Sequence, residues 1–132
     1  MTDHADAFIA TMDLRVREIL DRCTRCAKCV EVCPTAVPAG IDISEPAAIV
    51  GDVLDILRGG GDPSSRGARW ANACTGSGRC ISACDDGINP RFMLAATRLA
   101  SYKNVLNRIF AALIFVVAGY VLYRSIGAFT LG

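Results

Sequence analysis

The chain is 132 residues long, with 14 basic and 13 acidic side chains and a formal net charge of +1. That balance offers no basic surface for nucleic acid, and none is expected as a partner. The seven cysteines are an odd number, and the acidic start Met1-Thr-Asp-His-Ala-Asp has no apolar run. Neither a disulfide framework nor a secretory leader is therefore expected, and the thiols point to a reducing compartment.

In chain order, the first predicted element is a helix over 6–22. Phe8, Ile9, Met12, Val16, Ile19 and Leu20 recur on one face of it at helical spacing. His4, the lone histidine, lies ahead of it and is given no role. A cysteine-rich loop follows, then a rigid turn at Pro34, Pro38 and Gly40. Ser44 is the expected N-cap of a helix over 45–58, with Pro46 in its first turn and Ile49, Val50, Val53, Leu54 and Leu57 as its apolar stripe. Gly59-Gly-Gly-Asp-Pro-Ser-Ser ends that helix in a flexible loop. A short helix carrying Ala68 to Ala73 leads into a second cysteine-rich loop. Asn89 and Pro90 open the last helix. Ile109 to Tyr123 carries no charge, and Val105 to Thr130 carries only Arg108 and Arg124. That stretch meets the requirement of about 20 predominantly apolar residues for a membrane span. No strand is expected.

The first loop reads Cys23-Thr-Arg-Cys26-Ala-Lys-Cys29-Val-Glu-Val-Cys33-Pro34. Three thiolates at intervals of three, a fourth four residues on and a proline form the bacterial-type iron–sulfur run. Cysteines so spaced on a tight loop can wrap three corners of one inorganic core, while the fourth points away to another. The second loop reads Cys74-Thr-Gly-Ser77-Gly-Arg-Cys80-Ile-Ser-Ala-Cys84-Asp85. It is a pseudo-repeat of the first, with Ser77 in place of the second cysteine. In proteins with two such runs, the last cysteine of each ligates the other cluster. That rule assigns Cys23, Cys26, Cys29 and Cys84 to a [4Fe–4S] cluster. It leaves Cys33, Cys74 and Cys80 for a [3Fe–4S] cluster, with a second [4Fe–4S] as the alternative. Ser77 either supplies an oxygen ligand or lines the empty corner; the thiolate preference of such iron favours the lining role. Zinc prefers paired Cys-x-x-Cys knuckles, which the third close cysteine and Cys33 fit poorly.

These motifs, the Gly-rich connector, Trp70 before the second run and Ile88-Asn89-Pro90 after it resemble the α-helical ferredoxin domain. That domain is found in the electron-transferring iron–sulfur subunit of heterodisulfide reductases and in the C-terminal half of succinate dehydrogenase and fumarate reductase iron–sulfur subunits. The likeness spans roughly Asp13 to Ala100. Cys74-x5-Cys80-x3-Cys84 follows the succinate dehydrogenase spacing, with Asp85 in place of proline. The resemblance implies an all-α ferredoxin domain, expected over 1–103, and the apolar run adds a hydrophobic C-terminal helix over 104–132, expected to anchor the chain in a membrane. The resemblance also implies a non-catalytic electron-transfer subunit of an oxidoreductase. Expected partners are a flavoprotein or Cys-rich reductase subunit on one side and a membrane cytochrome or quinone-binding subunit on the other. Arg91, Arg98, Lys103 and Arg108 precede the apolar segment and only Arg124 interrupts its end, which places the cluster domain on the cytoplasmic side. Two other readings stay open: a catalytic subunit with an open-coordinate [4Fe–4S] cluster that binds substrate, and an anchoring subunit with one cluster.

Around the cysteines, Arg25, Lys28 and Arg79 are either solvated charges or cations that tune an anionic cluster or dock a partner. Gly76 and Gly78 let backbone approach the second cluster. Trp70 reads as a core aromatic, with a quinone contact as the sharper alternative. Asp85 and Asp86 read as a turn.

Overall fold

The structure, a computed structural model, describes residues 2–130. Its elements are helices α1 (Thr2–Arg22), α2 (Lys28–Glu31), α3 (Pro46–Leu57), α4 (Arg66–Ala73), α5 (Arg79–Ala83) and α6 (Pro90–Thr130). Among the described residues there is no strand. The chain divides into two units, Met1–Ser101 and Tyr102–Gly132.

Local chemistry explains most helix ends. Ser65 holds an extended backbone (φ −61°, ψ 163°), and its hydroxyl accepts from the Ala68 N–H at 3.2 Å, which starts α4. Asn89 Oδ1 accepts from the Phe92 N–H at 3.1 Å, which starts α6 as expected. Ser44 does not cap α3. The N-cap is Glu45 (φ −123°), without a side-chain hydrogen bond, because Pro46 at the helix start excludes the helical conformation from the residue before it. Ser44 instead donates its N–H to Asp42 Oδ1 at 2.9 Å and closes a small turn. Hydrogen bonds from the Ser44 backbone and hydroxyl hold the Asp42 carboxyl below its ordinary range.

In the first unit, α3 packs most extensively on α4, α2 lies against α5, and α3 also touches α1 and α2. The close approach of α3 and α4 depends on Gly67. Its N–H donates to Asp52 Oδ2 at 3.2 Å. A Cβ there would sit 2.6 Å from the Asp52 Cβ and 2.8 Å from the Ile49 carbonyl oxygen. The core is built from Ile49, Val50, Val53 and Leu54 of α3, Trp70 and Ala71 of α4, and Met93 and Leu94 of α6, with Ile19, Val30 and Ile88 around them. Leu57 only packs against its edge. The apolar face expected on α1 divides along its length: Ile19 is buried, but Phe8 and Ile9 are exposed. The Arg15 guanidinium lies 5.7 Å from the centre of the Phe92 ring, a cation–π contact that fixes the packed end of α1.

Helix α6 runs from the first unit into the second and is long and apolar enough to cross a membrane. Ile109, Phe110, Leu113, Ile114, Phe115 and Val116 on it are all exposed.

Candidate metal centre

The two cysteine runs fold alike, position by position. Arg25 and Ala27 are the two described residues other than glycine with positive φ, at 59° and 65°. Their counterparts Gly76 and Gly78 take 78° and 76°. Each run thus winds through two left-handed bends and then enters a short helix, α2 behind Ala27 and α5 behind Gly78. The N–H of Val30 closes on the Ala27 carbonyl at 3.0 Å, and that of Ile81 closes on the Gly78 carbonyl at 3.0 Å. Burial repeats as well. The first and last cysteines of each run (Cys23 and Cys33, Cys74 and Cys84) are half-buried, and the third (Cys29 or Cys80) is buried. The second position is exposed in both, as Cys26 in one and Ser77 in the other.

Packing α2 against α5 sets the end of each run beside the loop of the other. Cys26, and Cys84 from the opposite run, are among the neighbours that raise the Cys23 thiol. Cys29 is coupled to Cys23, Cys26, Cys84 and Cys80. Cys80 is coupled to Cys74 and to Cys33, again from the opposite run. The thiols thus fall into two groups, Cys23, Cys26 and Cys29 with Cys84, and Cys74 and Cys80 with Cys33. Among the described residues no group of three or more His, Cys, Asp or Glu converges to hold a single metal ion. An iron–sulfur core places its own iron and sulfide between the thiolates, so its ligands stand farther apart than those of one ion.

Burial pushes the Cys29 thiol up to about 12, helped by repulsion from its neighbouring thiols. Burial likewise raises Cys23 and Cys80. Cys33 departs from this pattern. Burial alone would raise it, but hydrogen bonds from Thr35 and Trp70 side chains and from the Thr35 and Ala36 backbone bring it below its ordinary value. The Trp70 indole N–H donates to Cys33 Sγ at 3.2 Å, and Thr35 Oγ1 lies 3.3 Å from the same sulfur.

The acidic residues after the second run do more than turn. Asp86 accepts from the Thr24 N–H at 3.0 Å and from its hydroxyl at 2.9 Å, which ties the two loops together. Those bonds hold the Asp86 carboxyl low. Asp85 forms an ion pair with Lys28, which raises the Lys28 ammonium. Arg25 and Arg79 make no ion pair among the described residues. Sequence reasoning missed the roles of Thr24, Thr35 and Asp86. Laying one run on the other puts Thr35 and Asp86 at the same place, two residues beyond the last cysteine, but does not show what either bonds.

The surface is open over both Cys33 and Cys74. Glu31, Val32, Cys33, Pro34, Arg79 and Ser82 line one groove of about 570 Å³. Another, of about 450 Å³, runs past Cys74 and Thr75 beneath Arg91 and Arg98.

No curated protein and no solved structure matches the chain significantly. A family model described as a 4Fe-4S dicluster domain matches residues 22–89, just over half of the chain, and spans both cysteine runs. With two thiol patches built on matching loops, the chain belongs to the 4Fe-4S dicluster domain family, whose role is iron–sulfur electron transfer.

Proposed function

We propose that this protein is an electron-transfer subunit of a membrane-associated oxidoreductase complex, akin to the electron-transferring iron–sulfur subunits of heterodisulfide reductase and succinate dehydrogenase. Cys23, Cys26, Cys29 and Cys84 hold a [4Fe–4S] cluster, and Cys33, Cys74 and Cys80 hold a [3Fe–4S] cluster. The observation that carries this reading is the crossing of the runs: α2 packs on α5, Thr24 bonds Asp86 and Lys28 pairs with Asp85, so the end of the second run, with Cys84, is fastened to the first loop. When bound, the clusters take up and release single electrons. The chain orients the thiolates, buries Cys29 and Cys80, and leaves Cys26 and the grooves at Cys33 and Cys74 open to partners. A flavoprotein or Cys-rich reductase subunit delivers or removes electrons on one side, and a membrane cytochrome or quinone-binding subunit on the other. The apolar segment of α6 anchors the subunit, with the cluster domain on the cytoplasmic side.

The test is iron content and EPR on the full chain purified anaerobically. About seven iron atoms per chain and a 3Fe-type signal in the oxidised protein are expected. Cys84→Ser, although it alters the second run, should remove the signature of the first cluster and spare the second. Loss of the second signal instead would break the proposed ligand set. The family description favours one other form of the second centre, a [4Fe–4S] cluster with a non-cysteine ligand at Ser77. About eight iron atoms per chain and no 3Fe-type signal would select it.

A further inference from the structure

We propose that Trp70 and Thr35 set the reduction potential of the centre that Cys33 ligates, by donating an N–H and an O–H to its sulfur. The inference rests on the ligand set proposed above. Both act through Cys33 and are positioning residues.

Trp70 is fully buried, and Cys33 Sγ, at 3.2 Å, is the partner of its indole N–H. A neutral thiol is a weak acceptor, whereas a metal-bound thiolate satisfies a buried donor well. Between Thr35 Oγ1 and Cys33 Sγ, 3.3 Å apart, either atom could donate while the thiol keeps its proton. A ligating thiolate has no proton, so the hydroxyl must donate. One sulfur then receives two side-chain donors.

The other half of the molecule provides an internal control. Trp70 stands four residues before the first cysteine of its run, and Ile19 stands at the same place before Cys23. Ile19 is buried too, but it has no donor. Opposite Thr35 stands Asp86, a carboxylate that accepts from Thr24 and adds negative charge beside Cys23. Among the described residues no side chain donates to Cys84. The backbone bends match while the residues at the two corresponding positions differ in kind: Trp70 and Thr35, whose polar groups meet Cys33, against Ile19, which has no donor, and Asp86, an anion turned to Thr24.

Adding an electron to such a centre increases negative charge on its sulfurs. A donor aimed at sulfur stabilises the reduced state more than the oxidised one and raises the potential; a nearby carboxylate lowers it.

The experiment is an EPR-monitored dithionite titration of the full chain, with Trp70→Phe, Thr35→Val and Asp86→Asn compared with the natural sequence. Trp70→Phe keeps an aromatic ring and loses the N–H; Thr35→Val keeps the shape and loses the O–H. Each should lower the second centre's ratio of reduced to oxidised protein about tenfold at fixed potential, or about 59 mV for one electron, and leave the first centre in place. Asp86→Asn should shift the first centre upward and leave the second alone. Should Trp70→Phe fail to load iron, Thr35→Val decides. An intact second signal with an unmoved potential overturns the inference while the ligand set stands. A natural chain with about four iron atoms and a single centre overturns both.

Discussion

Ala27 and Gly78 make the same left-handed bend, φ 65° and 76°, with and without a side chain. An L-residue in that conformation costs about 1–2 kcal/mol relative to its preferred one, so the first run stores strain that the second avoids. A Cβ on Gly78 would meet nothing nearer than Ile81 Cδ1 at 3.9 Å. Gly78→Ala should therefore keep its iron and lose about 1 kcal/mol of stability, read from denaturation of the cluster-loaded protein. Gly76 differs, because a Cβ there would come within 3.3 Å of the Arg91 guanidinium. The two cysteine runs were legible in the sequence because their spacing is a local, repeated pattern, and the family model spans both of them. Thr24, Thr35 and Asp86 were not, because a threonine or aspartate near a cysteine acquires meaning only from what folding places against it. Trp70 reads as a core aromatic, and it is one; its N–H partner lies 37 positions away in the chain and leaves no local pattern.

At the scale of elements, helix periodicity places α3, α4 and α6 to within a few residues. The start of α3 escapes it because the restriction imposed by Pro46 on Glu45 outweighs the capping preference of Ser44. The periodicity of α1 shows that it is a helix without showing how much of its face is covered, since Phe8 and Ile19 read alike in sequence and differ in burial. Gly67 tests the α3–α4 contact, and Gly51 serves as its control. Gly67 has no room for a Cβ, so Gly67→Ala should cost about 1–3 kcal/mol by forcing the helices apart. Gly51 lies inside α3 with nothing within 4 Å of an added Cβ, so Gly51→Ala should stabilise by about 0.5–1 kcal/mol. Thermal or chemical denaturation of the two loaded variants side by side checks both signs.

For the whole molecule, the proposed anchor makes a simple prediction. The full chain should sediment with membranes and resist high salt. Val116 is 72% exposed near the middle of the apolar segment; Val116→Arg costs about 2.5–3.5 kcal/mol at the centre of a span and should shift the chain out of the membrane fraction. A natural chain released by salt alone would count against the anchor. The tie between Thr24 and Asp86, which joins residues 62 positions apart, also bears on biogenesis. A ribosome that has just extruded the first cysteine loop has not yet made the carboxylate that fastens it. Translation must run past Asp86 before that fastening can form, so the first loop gains it only once the second has been made.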